Sequence, residues 1–189
     1  MKTVIIYESL FGNTRRVAEE LVRVARGHGE VDMVAAEEAA SGVIDGADLV
    51  LIGGPSQVHG MSWSVTRQLG TAAPAAGPGA GTNSDSGADD YSPVLDVAGP
   101  GLRAWFHQVG RVDGTPAAAF DTRLDGPETL NGRASLGISR RLRHHGFAEV
   151  AAPRSFVVDR WNILIVGEVA RAHEWASSVL ESLLADAIH

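Results

Sequence analysis

The sequence predicts an α/β fold: a doubly wound five-stranded parallel sheet, order 2-1-3-4-5, with helices on both faces. Three observations lead there. Short β-branched or apolar runs alternate along the chain with segments of helical period. The run Asp48-Leu49-Val50-Leu51-Ile52-Gly53 is apolar on both faces, as a strand inside a parallel sheet must be. The opening run Thr3-Val4-Ile5-Ile6-Tyr7 ends in a short loop of small and polar residues, and an amphipathic segment follows at once. Right-handed crossovers between successive strands then set the order, with its switch point between strands one and three.

Each element has its own signal. Strand one spans about 3–8. Helix one spans about 14–26, with Val17, Ala18, Leu21, Val22 and Ala25 at helical spacing, and Gly27 and Gly29 close it. Strand two covers 31–35 and strand three 48–53. A short helix fits 62–69. Residues 70–101 contain no Lys or Arg and are crowded with Gly, Ala, Pro, Ser and Asp. The stretch 72–98 has too little to bury against its ordering entropy, so it reads as a flexible insertion in a single domain over 1–189. Order returns at Gly101, where Leu102, Trp105, Phe106 and Val109 form an apolar helical stripe. Pro116 introduces strand four, Ala117-Ala118-Ala119-Phe120, and a polar loop follows over 121–133. Helix 134–145 turns Ile138 and Leu142 inward and ends at Gly146. Strand five lies within 148–158, interrupted near Pro153, because proline donates nothing to a ladder. The last helix, 167–185, is expected to bury Val169, Ala172, Ala176, Val179, Leu180, Leu183 and Leu184.

The chain has 189 residues, a formal net charge of −7 and no cysteine. Disulfides and thiolate metal sites are therefore excluded, and an acidic chain is a poor partner for nucleic acid. No apolar run is long enough to span a membrane. The start leads straight into a strand and lacks the apolar core of an export signal, which favours the cytoplasm. A monomer is expected.

Three loops on one rim of such a sheet could carry chemistry. In Ser9-Leu10-Phe11-Gly12-Asn13-Thr14, Gly12 permits an unusual backbone angle, and Ser9, Asn13 and Thr14 can donate side-chain hydrogen bonds. The first N–H groups of the following helix have no partner within it, and the helix dipole is positive there, so phosphate is a natural guest. The alternative is an ordinary strand-to-helix turn with Thr14 as N-cap. In the second loop, Gly53-Gly54 lets the backbone approach a flat ligand. Pro55, Ser56, Gln57, Val58, His59 and Gly60 follow with polar edges and apolar faces. Trp63 beyond them either faces that ligand or anchors the next helix. The third loop, Asp121-Thr122-Arg123, offers polar groups for a ring edge and an anion partner, or else an Asp121–Arg123 surface pair of small value.

With Tyr7-Glu8-Ser9-Leu10-Phe11-Gly12-Asn13-Thr14, Gly53-Gly54-Pro55-Ser56 and Ala119-Phe120-Asp121-Thr122-Arg123, the chain resembles the flavodoxin-like family, in the wording of an actinobacterial-type subgroup. The family's phosphate loop reads roughly Ser/Thr-x-x-Gly-Asn-Thr, matched here by Ser9, Gly12, Asn13 and Thr14. Leu10 and Phe11 stand where short electron-transfer flavodoxins carry hydroxyl residues, and the third loop lacks the tyrosine that often stacks on the flavin. The resemblance implies one non-covalent FMN. Its phosphate would lie over 9–14, and its ring between 55–60 and 121–123. It implies electron transfer to a redox partner protein or a small-molecule acceptor, with the His59-Gly60 peptide offering a carbonyl to the reduced ring. Two alternatives share the fold: a flavin-dependent quinone or protoporphyrinogen-type oxidoreductase, and a binding module that has lost FMN.

Overall fold

The computed structural model describes residues 1–56, 100–126 and 132–186. Strand β1 (Lys2–Tyr7) is central, flanked by β2 (Glu30–Ala35) and β3 (Leu49–Pro55); β4 (Pro116–Leu124) lies beyond β3. Two short strands, β5 (Ala148–Glu149) and β6 (Arg154–Val158), share the outer edge of β4. All of these pairings are parallel. The order is therefore 2-1-3-4-5 with an interrupted fifth position, and the break falls at Pro153, as a residue without an N–H requires.

The sheet buries both faces, and side-chain alternation sorts its residues between two cores. Val4, Ile6, Val50, Ile52, Ala117 and Ala119 face helices α2 (Pro100–Gln108) and α3 (Ala134–His144), which supply Leu102, Trp105, Phe106, Ile138 and Leu142. Ile5, Leu49, Leu51, Ala118, Phe120 and Phe156 face α1 (Asn13–Ala25) and α4 (Glu168–Asp186). The expected stripe of Leu102, Trp105, Phe106 and Val109 is buried throughout. On α4 the apolar face is set differently at one end: Leu184 is exposed, and Trp175, absent from the expected set, is buried between Phe120 and Phe156. The expected helix at 62–69 and insertion at 72–98 lie outside the described residues.

Strand β4 continues past Phe120 to Leu124, where the sequence suggested a polar loop. It is laddered on both sides there, to Gly54–Pro55 of β3 and to Ser155–Val158 of β6. Its polar residues are tolerated because they find partners inside the protein. Asp121 is fully buried, and its Oδ2 accepts the Ser135 N–H at 2.7 Å.

Gly53 and Gly54 are also strand residues, not an open turn. A Cβ on Gly53 would stand inside the ring of the fully buried Phe120, and one on Gly54 would lie 2.9 Å from Leu102 Cδ1. The space that suggested a flat ligand is filled by the chain's own core.

Candidate functional site

Strands β1, β3 and β4 end on one rim, and each puts an acceptor near a helix start. From the end of β1, Glu8 Oε2 accepts the Leu102 N–H of α2 at 3.0 Å. Beyond β3, Ser56 Oγ accepts the Ala134 N–H of α3 at 2.8 Å. From β4, Asp121 takes the next N–H of α3, that of Ser135. The first amides of a helix carry partial positive charge and lack partners within the helix, so these contacts neutralise α2 and α3 from within.

Helix α1 is treated differently. It starts from Gly12, whose φ of 85° lies in the left-handed region and which, as the N-cap, has no side chain to offer. Its first turn holds no acidic residue; Arg15 and Arg16 stand there instead, both exposed. Among the described residues the Gly12, Asn13 and Thr14 N–H groups meet no acceptor, and only the Arg15 N–H reaches Ser9 Oγ, at 3.3 Å. A Cβ added to Gly12 would meet no atom of the described residues within 4 Å. Leu10 and Phe11 turn to solvent, 56% and 55% exposed, and do not close the approach to the amides. Unpaired successive N–H groups at a helix start, with space beside Gly12, are the makings of a backbone anion nest.

The side chains of this loop do not all serve it. Thr14 is not the N-cap; its buried hydroxyl pairs with the Thr122 hydroxyl at 2.8 Å, and either group can donate. Asn13 donates from Nδ2 to the Asn162 carbonyl at 2.7 Å. Ser9 Oγ acts as an acceptor toward the Arg15 N–H, so its own hydrogen can still be given to a ligand.

Comparison with known proteins bears on the fold. No protein-family model matches the sequence, and no curated protein matches it. Among solved structures, oxidised flavodoxin 1 of Bacillus cereus is 14% identical, with 96% of this chain and 98% of that chain covered at a TM-score of 0.64. The flavodoxin of Streptococcus pneumoniae TIGR4 is 12% identical, covers 96% and 99%, and gives 0.65. The chain has the flavodoxin fold. The likeness extends to part of a longer protein, rubredoxin:oxygen oxidoreductase of Desulfovibrio gigas: 16% identity, 97% of this chain, 36% of that one, TM-score 0.62.

Within this flavodoxin fold the structure joins two of the three expected loops through the Thr14–Thr122 hydrogen bond. The remaining ring-side groups are committed elsewhere. Ser56 caps α3 and donates its N–H to the Thr122 carbonyl; Asp121 is sealed beneath the rim. Arg123 folds over its own strand end, donating from Nη1 to the carbonyls of Leu124 and Gly126 at 3.2 and 3.0 Å. It does not form the surface pair with Asp121 considered above, because Asp121 has no exposed surface. Pro55 ends β3, half-buried. Gln57, Val58, His59, Gly60 and Trp63 lie outside the described residues.

Two contributors escaped the sequence reading. Asn162, with φ of 63°, sits in the turn after β6 and holds Asn13. That turn is shaped by Asp159 Oδ1, which accepts the N–H groups of Trp161 and Ile163 at 2.9 Å each. An Asp followed by a short Asx-type turn was a usable signal. Ser135 escaped as well, because its contribution is a backbone N–H.

The buried carboxyls have a measurable consequence. Burial raises the Glu8 carboxyl above its ordinary value of 4.5, with nearby Glu37 adding to it; the Leu102 and Gly101 amides and Arg103 oppose. Burial likewise raises Asp121 above 3.8, opposed by the Ser135 amide, the Ser135 and Ser155 hydroxyls and Arg133. A carboxyl raised in the folded state favours folding when protonated. Its contribution is complete below the unfolded value and is lost as pH rises through the folded one. We therefore expect Asp121→Asn, which keeps an acceptor for Ser135, to match wild type near pH 4 and to gain stability relative to it as pH rises. Urea unfolding of the two proteins across pH 4–8 measures this, and a parallel pair of stability curves would refute it.

Proposed function

We propose that the chain is an FMN-binding electron-transfer protein of flavodoxin type, of the actinobacterial-type subgroup, working in the cytoplasm with a redox partner. One observation carries the proposal: α2 and α3 are capped by acceptors from the strand ends, whereas the Gly12, Asn13 and Thr14 N–H groups at the start of α1 meet no acceptor among the described residues. The fold likeness supports the same reading. No helix among the described residues is long and apolar enough to cross a membrane.

In this reading the phosphate is held by the three backbone N–H groups and the Ser9 hydroxyl, with Arg16 supplying opposite charge. Leu10 and Phe11 cover the ester side of the loop with apolar surface. The Thr14–Thr122 and Asn13–Asn162 contacts lock the loop before the ligand arrives, so little ordering is left to oppose binding. FMN, when bound, supplies the redox chemistry, and the protein positions and tunes it.

The test is a titration of FMN fluorescence with purified protein. Quenching that saturates at micromolar protein is expected; full fluorescence throughout would refute the proposal. That negative result would favour the second reading, a flavodoxin-shaped binding module without FMN. The internal bonding of Ser56, Asp121 and Thr122 lends that reading support, because it removes three polar groups expected at the ring.

A further inference from the structure

Glu8 is the last residue before the anion loop and is 4% exposed. Alternation along β1 places it on the same face as Val4 and Ile6, under α2. Its position is firmly held. Its own N–H donates to the Gly53 carbonyl at 2.9 Å, and its carboxylate accepts the Leu102 N–H at 3.0 Å. It thus ties the end of β1, the end of β3 and the start of α2 together, one residue before Ser9.

We propose that Glu8 is a positioning residue that couples anion binding in the loop after β1 to the seating of α2. This rests on the reading of that loop as a phosphate site. When ionised, Glu8 strengthens its bond to the positive end of α2 but sets a negative charge on the residue that leads into the phosphate loop. When protonated, it leaves the loop free to take a dianion but holds α2 less firmly. Phosphate binding therefore takes up a proton at Glu8. Among the described residues the charged groups facing Glu8 are Glu37 beyond β2 and Arg103 on α2; the β3 residues beside it are glycines, which do not titrate. Burial and Glu37 both raise the carboxyl, which brings its titration closer to neutral pH.

Glu8→Gln keeps an acceptor for Leu102 and removes the charge. The dissociation constants of FMN for wild type and E8Q are measured from pH 5 to pH 8 and expressed as a ratio; toward pH 5 both the phosphate and Glu8 lose negative charge, and both narrow it. We expect E8Q to bind about fivefold more tightly at pH 8, the difference closing toward pH 5. Riboflavin, which has no phosphate, should show no such trend. A ratio independent of pH, or the same trend with riboflavin, overturns the coupling. If FMN binds neither protein, the flavin reading fails, and inorganic phosphate becomes the probe. The rise in Tm on adding phosphate should then be larger for E8Q than for wild type at pH 8 and equal at pH 5. An equal rise at both pH values, or none in either protein, overturns the inference.

Discussion

Gly53→Ala is expected to destabilise the protein by about 3 kcal/mol, the upper range for forcing an extra methyl into a packed core. The added carbon would overlap the ring of Phe120, which is fully buried and packs against Trp175. Phe120 cannot swing away, because Gly53 and Phe120 are register partners on adjacent parallel strands, with Phe156 on the next one out. Strain therefore spreads into β4, whose far end carries Asp121 and Thr122. The check is chemical denaturation together with thermal unfolding: a lowered midpoint with an unchanged slope on denaturant is expected. A change below about 0.5 kcal/mol would mean that the sheet opens more readily than this packing allows.

The second large effect is on ligand affinity. Gly12→Ala places a methyl group where no atom of the described residues lies within 4 Å, so its steric cost against them is small. What remains is the strain of a side chain at φ 85°, about 1 kcal/mol. On the proposed reading the phosphate approaches across Gly12, and the same methyl obstructs it. FMN affinity is expected to fall at least tenfold, equivalent to about 1.4 kcal/mol. Parallel measurements of folding stability and FMN binding separate the two contributions. Equal affinity in the variant would show that the phosphate does not approach Gly12.

These two glycines show how much was legible in the chain. The left-handed backbone of Gly12 is legible in the sequence, because periodicity and composition mark a strand, a tight turn and a helix start around it. Gly53 and Gly54 carry the same residue letter and a superficially similar setting, but their partner is Phe120 from a strand more than sixty residues later. A local pattern cannot distinguish room left for a ligand from room left for a distant ring. The same ambiguity affected Ser56, Asp121 and Thr14. Each was recognised as a polar group at the rim. Whether a hydroxyl or carboxylate serves a ligand or a helix amide depends on which helix start lies above it, and that is decided by packing across the sheet. The fold was readable because its signals are local and repeated: alternation in the strands, the 102–109 stripe, Gly146, the break at Pro153. The division of labour at the rim was not, because it depends on single long-range contacts.

The distinction between capped and open helix starts is the central claim, and backbone amide chemical shifts test it most directly. Assigned nitrogen–proton spectra are recorded as FMN is added. The amides of Gly12, Asn13 and Thr14 are predicted to move strongly and together, while those of Ala134 and Ser135, already bonded to Ser56 and Asp121, stay near their starting positions. Saturating FMN that leaves the three α1 amides unmoved, or that displaces the α3 amides instead, would contradict the account.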